Sequence, residues 1–413
     1  MALEHLLVKP MGSACNLACS YCFYRQVERY LPTGEPMADD VLEKMIGDFL
    51  GGRPPVAAFG WQGGEPTLAG LDFFRKVVDL QARLGARGQR VGNALQTNGM
   101  VIDDEWAKFL FEWRFLVGLS IDGPEPMHNA NRGKSWRRAM RAAEHLRKRD
   151  VAFNILVVLT EENARQGGDL YRWFLGEGFN DVQFIPCIEP AELGSPAAWN
   201  PKLADFSVSP ETLGRFMVEA WQEWRESGYP RGYTERTFMA MLACFAGSDP
   251  GVCTFAPDCA SYLVVEREGG VYPCDFFVRD EWRLGQVSDG LHELTHSPRR
   301  KKFATLKNLA REECGDCQWW DLCHGGCPKD RVQAGSFARR SPFCEGYKRF
   351  FSETTDWFRE EAARRLEACR REEEARRQQA RARMLRPAAG SVGRNSPCPC
   401  GSGRKFKQCC GRK

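Results

Sequence analysis

Cys15-Asn16-Leu17-Ala18-Cys19-Ser20-Tyr21-Cys22 places three thiols on one short loop, with three residues and then two between them. A cubane iron-sulfur cluster is saturated by four protein ligands, so three cysteines in one loop leave one iron open to another molecule. Zinc sites follow a similar division: structural ones fill every position and catalytic ones keep one vacant. A zinc knuckle or three unrelated buried thiols share the bare spacing, and the loop alone does not choose between them.

Working outward, Leu3 to Val8 is a short apolar run ending at Lys9-Pro10, a buried-strand pattern that delivers the loop at its C-terminal end. Parallel α/β folds place chemistry at that end of a strand. A helix pattern runs from Asp39 to Leu50, and Val56 to Phe59 is the second strand. After it comes Gly60-Trp-Gln-Gly63-Gly64-Glu65-Pro66, a turn with glycines where backbone must approach a ligand closely. The alternation continues with helices near Leu71 to Leu84, Asp103 to Phe111, Trp136 to Arg149 and Gly168 to Leu175. The strands between and after them lie near Val91 to Gln96, Phe115 to Ile121, Phe153 to Leu159 and Asp181 to Ile185. Six strand-helix repeats with apolar strands predict an α/β fold whose parallel sheet curls into an incomplete barrel, open on one side. Pro210 to Ser227 and Thr234 to Phe245 read as amphipathic helices closing its flank.

The 413 residues suit a large catalytic domain with one or two smaller modules. Eighteen cysteines in tight clusters of CxxC type point to metal binding in a reducing cytoplasm rather than to a secreted disulfide scaffold. The N-terminus lacks the pattern of a signal peptide, and no window approaches a membrane span. Residues 361–413 carry 15 Lys+Arg against 5 Asp+Glu, leaving 43 against 49 elsewhere. The body is therefore mildly acidic and the tail basic.

In the second half cysteines recur at Cys253, Cys259, Cys274, Cys314, Cys317, Cys323, Cys327 and Cys344. CxxC pairs serve zinc as readily as iron, so zinc ribbons are the plain alternative. Phe351 to Arg386 is rich in Ala, Glu, Arg and Leu without Gly or Pro, the composition of a solvated spacer helix. A small-residue linker, Pro387 to Val392, leads to Cys398, Cys400, Cys409 and Cys410, four thiolates in a segment too short to bury a core. That set suits a tetrahedral zinc site. Cys187, Cys244 and Cys369 remain as buried or surface thiols, with Cys187 at a strand end facing the presumed active site.

The Cys15 to Cys22 loop matches the CxxxCxxC signature of radical S-adenosylmethionine enzymes, and Gly63-Gly64-Glu65-Pro66 resembles the segment that binds the cofactor's amino group. The resemblance implies a partial (β/α)6 barrel at residues 1–230, with Tyr21, Gly64, Ser120, Arg132 and Leu193 touching S-adenosyl-L-methionine. The later cysteines resemble the SPASM extension, here residues 231–350, which holds two further clusters. By that resemblance Cys253, Cys259, Cys274 and Cys327 hold one, and Cys314, Cys317, Cys323 and Cys344 the other, giving three [4Fe-4S] clusters in all. Residues 351–386 form the helical spacer, and residues 387–413 resemble the SEC-C motif, a compact zinc module.

Taken with Phe23-Tyr24, Gln62 to Pro66, Gln96 to Gly99, Ser120 to Gly123, Gln183 to Cys187 and Cys274-Asp275, the chain is similar to the anaerobic sulfatase-maturating enzymes over roughly residues 1–360. The resemblance implies oxidation of a Cys or Ser in a C/S-x-P/A-x-R segment of a nascent or unfolded sulfatase to Cα-formylglycine. It implies Asp275 as the base, Tyr24 lining the substrate cavity, and an electron donor such as flavodoxin or ferredoxin. The alternatives are another SPASM peptide maturase, forming a thioether or crosslink in a ribosomal peptide, and a non-catalytic metal-cluster adaptor. The tail departs from the family, and its basic residues suggest docking to client chains, the ribosome or nucleic acid, with no membrane partner.

Overall fold

The computed structural model describes residues 3–25, 31, 34–191, 202–227, 234–332, 335–384 and 392–412. They divide into two compact units, Met1–Cys244 with Asp249–Thr355, and Phe245–Ser248 with Asp356–Lys413.

In the first unit, β1 (His5–Val8), β2 (Val56–Trp61), β3 (Arg90–Thr97), β4 (Leu116–Ser120), β5 (Phe153–Leu159) and β6 (Asp181–Pro186) lie side by side in chain order, each parallel to the next. Helices Asp39–Gly51, Leu71–Leu84, Asp104–Glu112, Trp136–Lys148 and Gly167–Gly176 make the crossovers that parallel pairing requires. Beyond β6, the two-residue β7 (Thr234–Glu235) adds a parallel edge. Beyond β1, β8 (Leu263–Val265) pairs parallel, and β9 (Gly270–Tyr272) and β10 (Gly285–Gln286) follow antiparallel. Among the described residues the sheet has ten strands in the order β10-β9-β8-β1-β2-β3-β4-β5-β6-β7, with β10 and β7 at unpaired edges, so the barrel they form is open. The cysteine-rich extension thus continues the barrel's own sheet.

Alternation along the strands sorts side chains into two environments. Phe59 and Trp61 of β2 point outward against Phe49, Phe73 and Phe74 of the first two helices, ring centroids 4.9 to 6.2 Å apart. The opposite set points inward: Leu7 packs on the Tyr24 cluster and Val158 on the Cys19 cluster. Residues just past the strand ends on the inward register, Lys9 after β1 among them, therefore reach the chemistry.

Thr234 to Phe245 reads from sequence as one helix, but the helix is Arg236–Phe245 and the two residues before it are β7. The fully buried Glu235 carboxylate fixes this switch by accepting from the Phe184 N–H at 3.3 Å and the Phe238 N–H at 3.0 Å, joining strand to helix. The long helix runs Cys344–Met384, and its part in the second unit carries i,i+4 pairs such as Arg376 to Glu372 at 3.8 Å. Such exposed pairs contribute about 0.3–0.5 kcal/mol each. After Ala362 the described side chains are largely exposed. Among the described residues no helix is long and apolar enough to cross a membrane.

Candidate active site

The cysteine loop leaves β1 and is pinned by backbone before any metal is considered. Gly64 N–H donates to the Gly12 carbonyl at 2.8 Å and Glu65 N–H to that of Ala14 at 2.8 Å. A Cβ on Gly64 would stand 2.1 Å from the Ala14 oxygen, and Gly63 has a φ of +125°. Glycine is needed here so that two loops can lie backbone to backbone. Glu65, 1 % exposed, ties the next strand in: its carboxylate accepts from Thr67, from the Thr97 hydroxyl at 2.8 Å and from the Asn98 N–H at 2.7 Å. Asn98 in turn donates to Cys15 Sγ at 3.7 Å, so the loop, the glycine turn and the end of β3 form one piece.

Cys19 is buried against Tyr21 and Cys187, with Cys22 half-buried and Cys15 exposed at the loop's edge. Burial pushes the Cys15 thiol up to about 11 and raises Cys19 as well. Tyr21 Oη donates to Asp122 Oδ2 at 2.5 Å, and Arg132 Nε donates to the same oxygen at 2.9 Å while its guanidinium lies 5.4 Å from the Tyr21 ring centre. Asp122 Oδ1 accepts from the Val158 N–H at 3.1 Å. Three elements are thus tied to one carboxylate that is fully buried. Arg132 ends the helix Glu125–Arg132, absent from the sequence reading because its start, Pro124-Glu-Pro, reads as loop. His128 on that helix accepts from the Asp122 N–H at Nδ1 (3.3 Å) and meets Ser135 Oγ at Nε2 (2.8 Å). Ser135 Oγ donates onward to the Arg132 carbonyl, so Nε2 carries the proton and the imidazole is neutral. Ser120 is buried at the end of β4. Leu193 lies outside the described residues.

Asp275 opens the turn after Cys274 and is 9 % exposed. Its Oδ2 is 3.5 Å from Lys9 Nζ, and its Oδ1 accepts from Tyr262 Oη at 3.2 Å. Lys9, 1 % exposed, also sits 4.8 Å from the centre of the Tyr24 ring. Tyr24 is nearly fully buried and donates to Glu266, which burial pushes up to about 7 and whose Oε2 has no partner among the described residues. Sequence reasoning missed Lys9, Tyr262, Glu266 and Asp122. The signal for Lys9 was its inward register at a strand end.

Cys327 lies within electrostatic reach of Cys253 and Cys259, and Cys274 of Cys327, so the four come together across 74 residues of sequence. Cys314, Cys317, Cys323 and Cys344 instead line a cavity of about 20 Å³ with Trp319 and Phe351. In the second unit, Cys398, Cys400, Cys409 and Cys410 have their sulfurs within 4.8 Å of one another, with Cys400 to Cys409 at 3.5 Å and Cys409 to Cys410 at 4.0 Å. Tetrahedral zinc with bonds of about 2.3 Å sets sulfurs about 3.8 Å apart, so the four fit one ion. Among the described residues no other group of cysteines converges so tightly. A cubane binds each thiolate through a different iron, so wider spacing is what such sets require. None of the eighteen cysteines is in a disulfide. The donor sets therefore fit three clusters and one zinc ion.

The radical SAM superfamily profile matches residues 10–174, that of an iron-sulfur cluster-binding domain (SPASM) residues 253–318, and the SEC-C motif residues 394–412. A cysteine-type anaerobic sulfatase-maturating enzyme of Clostridium perfringens is 38 % identical over 358 residues, covering 84 % of this chain and 95 % of that one. A serine-type enzyme of Bacteroides thetaiotaomicron is 35 % identical over 373 residues, covering 86 % and 90 %. The solved structure of native anSMEcpe with bound AdoMet and Cp18Cys peptide superposes with a TM-score of 0.78 at 37 % identity, covering 87 % of this chain and 99 % of that one. The chain belongs to the anaerobic sulfatase-maturating enzymes of the radical S-adenosylmethionine superfamily.

Proposed function

We propose that the chain oxidises the reactive Cys or Ser of a sulfatase polypeptide to Cα-formylglycine, with Asp275 as the base. The carrying observation is the Asp275 carboxylate, which is buried beside Cys274 and has each oxygen aimed by a donor, Lys9 Nζ at 3.5 Å and Tyr262 Oη at 3.2 Å. When bound, a cluster on Cys15, Cys19 and Cys22 together with S-adenosylmethionine supplies hydrogen-atom abstraction from the substrate Cβ.

The remaining steps fall to side chains. Asp275 takes the proton of the substrate thiol or hydroxyl, and Lys9 and Tyr262 keep the carboxylate from turning away. Arg132, anchored by Asp122, would hold the cofactor together with Ser120 and Gly64, and Tyr21 wedges the loop against the guanidinium. Leu193 completes the cofactor site and Tyr24 backs the substrate cavity. Electrons enter from a small reductant of the flavodoxin or ferredoxin kind, and the SEC-C tail docks client chains. The test is Asp275→Asn with a peptide of the CxPxR type: aldehyde formation falls about 10²–10⁴-fold, the usual worth of a positioned base. Cleavage to 5'-deoxyadenosine persists. Undiminished aldehyde would overturn the role of Asp275.

A further inference from the structure

Three cations lie buried around the Cys253, Cys259, Cys274 and Cys327 set, and among the described residues none has a carboxylate within ion-pairing distance. Lys307, 1 % exposed, donates to the carbonyls of Cys253, Thr254 and Ala256 at 2.7, 2.8 and 2.6 Å. Three acceptors match the three N–H donors of an ammonium. Arg300 donates to the carbonyls of Cys259 and, at 3.0 Å, of Tyr262. Arg331, fully buried, donates to the carbonyls of Lys307, Phe337 and Leu306 at 3.2, 2.8 and 3.1 Å, and among the described residues its Nε has no partner.

The carboxylates on this side are partly matched. Asp275 pairs with Lys9 at 3.5 Å, while Lys329 is shared by Asp330 at 3.1 Å and Glu189 at 3.3 Å, one cation for two carboxylates. Asp258 stands near Arg300 but beyond ion-pair distance. Five cations, Lys9, Lys329, Arg300, Lys307 and Arg331, thus face four carboxylates, Asp275, Asp330, Glu189 and Asp258, and the buried charge around this set is positive on balance. Around Cys344 of the other set the cations are Arg340 and Lys348, both exposed and bound to Glu313 and Glu345. Arg331 also reaches Cys314 and Lys307 reaches Cys323. Arg300, whose cysteine neighbours are Cys259 and Cys274, therefore marks the asymmetry most cleanly.

We propose that Arg300, Lys307 and Arg331 tune the reduction potential of the first auxiliary set, making its cluster the acceptor of the electron that substrate oxidation releases. The inference rests on the maturation reading above. There, the substrate Cβ radical loses one electron while its thiol or hydroxyl loses a proton to Asp275, closing a carbon–oxygen double bond from Ser or, from Cys, a carbon–sulfur double bond that water then hydrolyses to the aldehyde with release of hydrogen sulfide. The electron adds one negative charge among four thiolates, which burial opposes and a positive balance of buried charge favours. These residues touch neither substrate nor reacting atoms, so they act through the cluster, and the readout is a potential.

The experiment is an anaerobic redox titration of the iron-loaded full chain followed by electron paramagnetic resonance, with Cys317→Ala used to assign the two auxiliary signals. In Arg300→Gln and Lys307→Met the reduced-to-oxidised ratio of the first auxiliary cluster at fixed potential falls about tenfold, about 59 mV for a one-electron couple. The second moves by less than about half that shift, and charge-keeping Arg300→Lys stays near wild type. Should Lys307→Met lose iron, Arg300→Gln decides alone, since Arg300 stands outside the three-carbonyl cage. An unmoved first cluster in Arg300→Gln, or equal shifts in both clusters, overturns the proposal. Shifted potentials without aldehyde formation would sink the maturation reading and spare the tuning, and the reverse pattern would do the opposite.

Discussion

The cysteines near the two ends of the chain form opposite kinds of site. Cys15, Cys19 and Cys22 are an incomplete donor set inside a complete fold, anchored by the glycine turn, Glu65, Asn98 and the buried Asp122 network. Cys398, Cys400, Cys409 and Cys410 are a complete set in a segment with little fold of its own, an antiparallel bridge between Pro397 and Lys405 and a short turn at Phe406–Gln408. In a tail this short, the metal of a complete set supplies the folding energy and little else is needed. Where one is missing, the protein must shape the vacancy, and buried polar groups gather around it. Openness therefore costs structure, and the structure around the gap is where function resides.

Cys19→Ala cuts the contrast at its root and carries the largest effect. Removing a donor from a set of three leaves too few to hold a cubane, so 5'-deoxyadenosine formation drops to background by chromatography. Retained cleavage would mean that the loop is not the cofactor site. A smaller effect tests whether the fold is built around the gap. Burial first, then the Arg132 charge, lowers His128 to about 4. The unfolded chain protonates this histidine near its ordinary value, so between about pH 6.5 and 4 it binds more protons than the native state. Stability then falls as pH drops through that window, by up to about 3 kcal/mol. Unfolding curves at pH 7 and 4.5 should show that loss in wild type and less of it in His128→Asn. Parallel losses in both would contradict it. The smallest effect on catalysis comes from the closed set: Cys400→Ser should lose the tail's zinc, read by metal analysis, while S-adenosylmethionine cleavage stays within about twofold of wild type.

Much of the barrel was legible because parallel strands buried on both faces leave apolar runs at regular intervals, and loops at their ends carry the motifs. The short strands β8 to β10 were not, since two or three residues carry no period and the pairing of β8 to β1, on which the other two build, is a long-range fact. The helix ending at Arg132 was hidden behind its prolines. The buried charges were hidden for another reason. Lys307, Arg300 and Arg331 take backbone carbonyls as partners, which no side-chain pattern records, so in sequence they resemble solvated charges. Lys9 likewise read as the end of a strand until its register placed it against Asp275.

The most direct test is anaerobic incubation of the iron-reconstituted full chain with S-adenosylmethionine, a reductant and a CxPxR peptide, with 5'-deoxyadenosine and trapped peptide aldehyde quantified together. An open three-cysteine site working with Asp275 predicts both products in equal amounts. Zinc in place of iron at Cys15, Cys19 and Cys22, or nucleoside without any aldehyde, would contradict it.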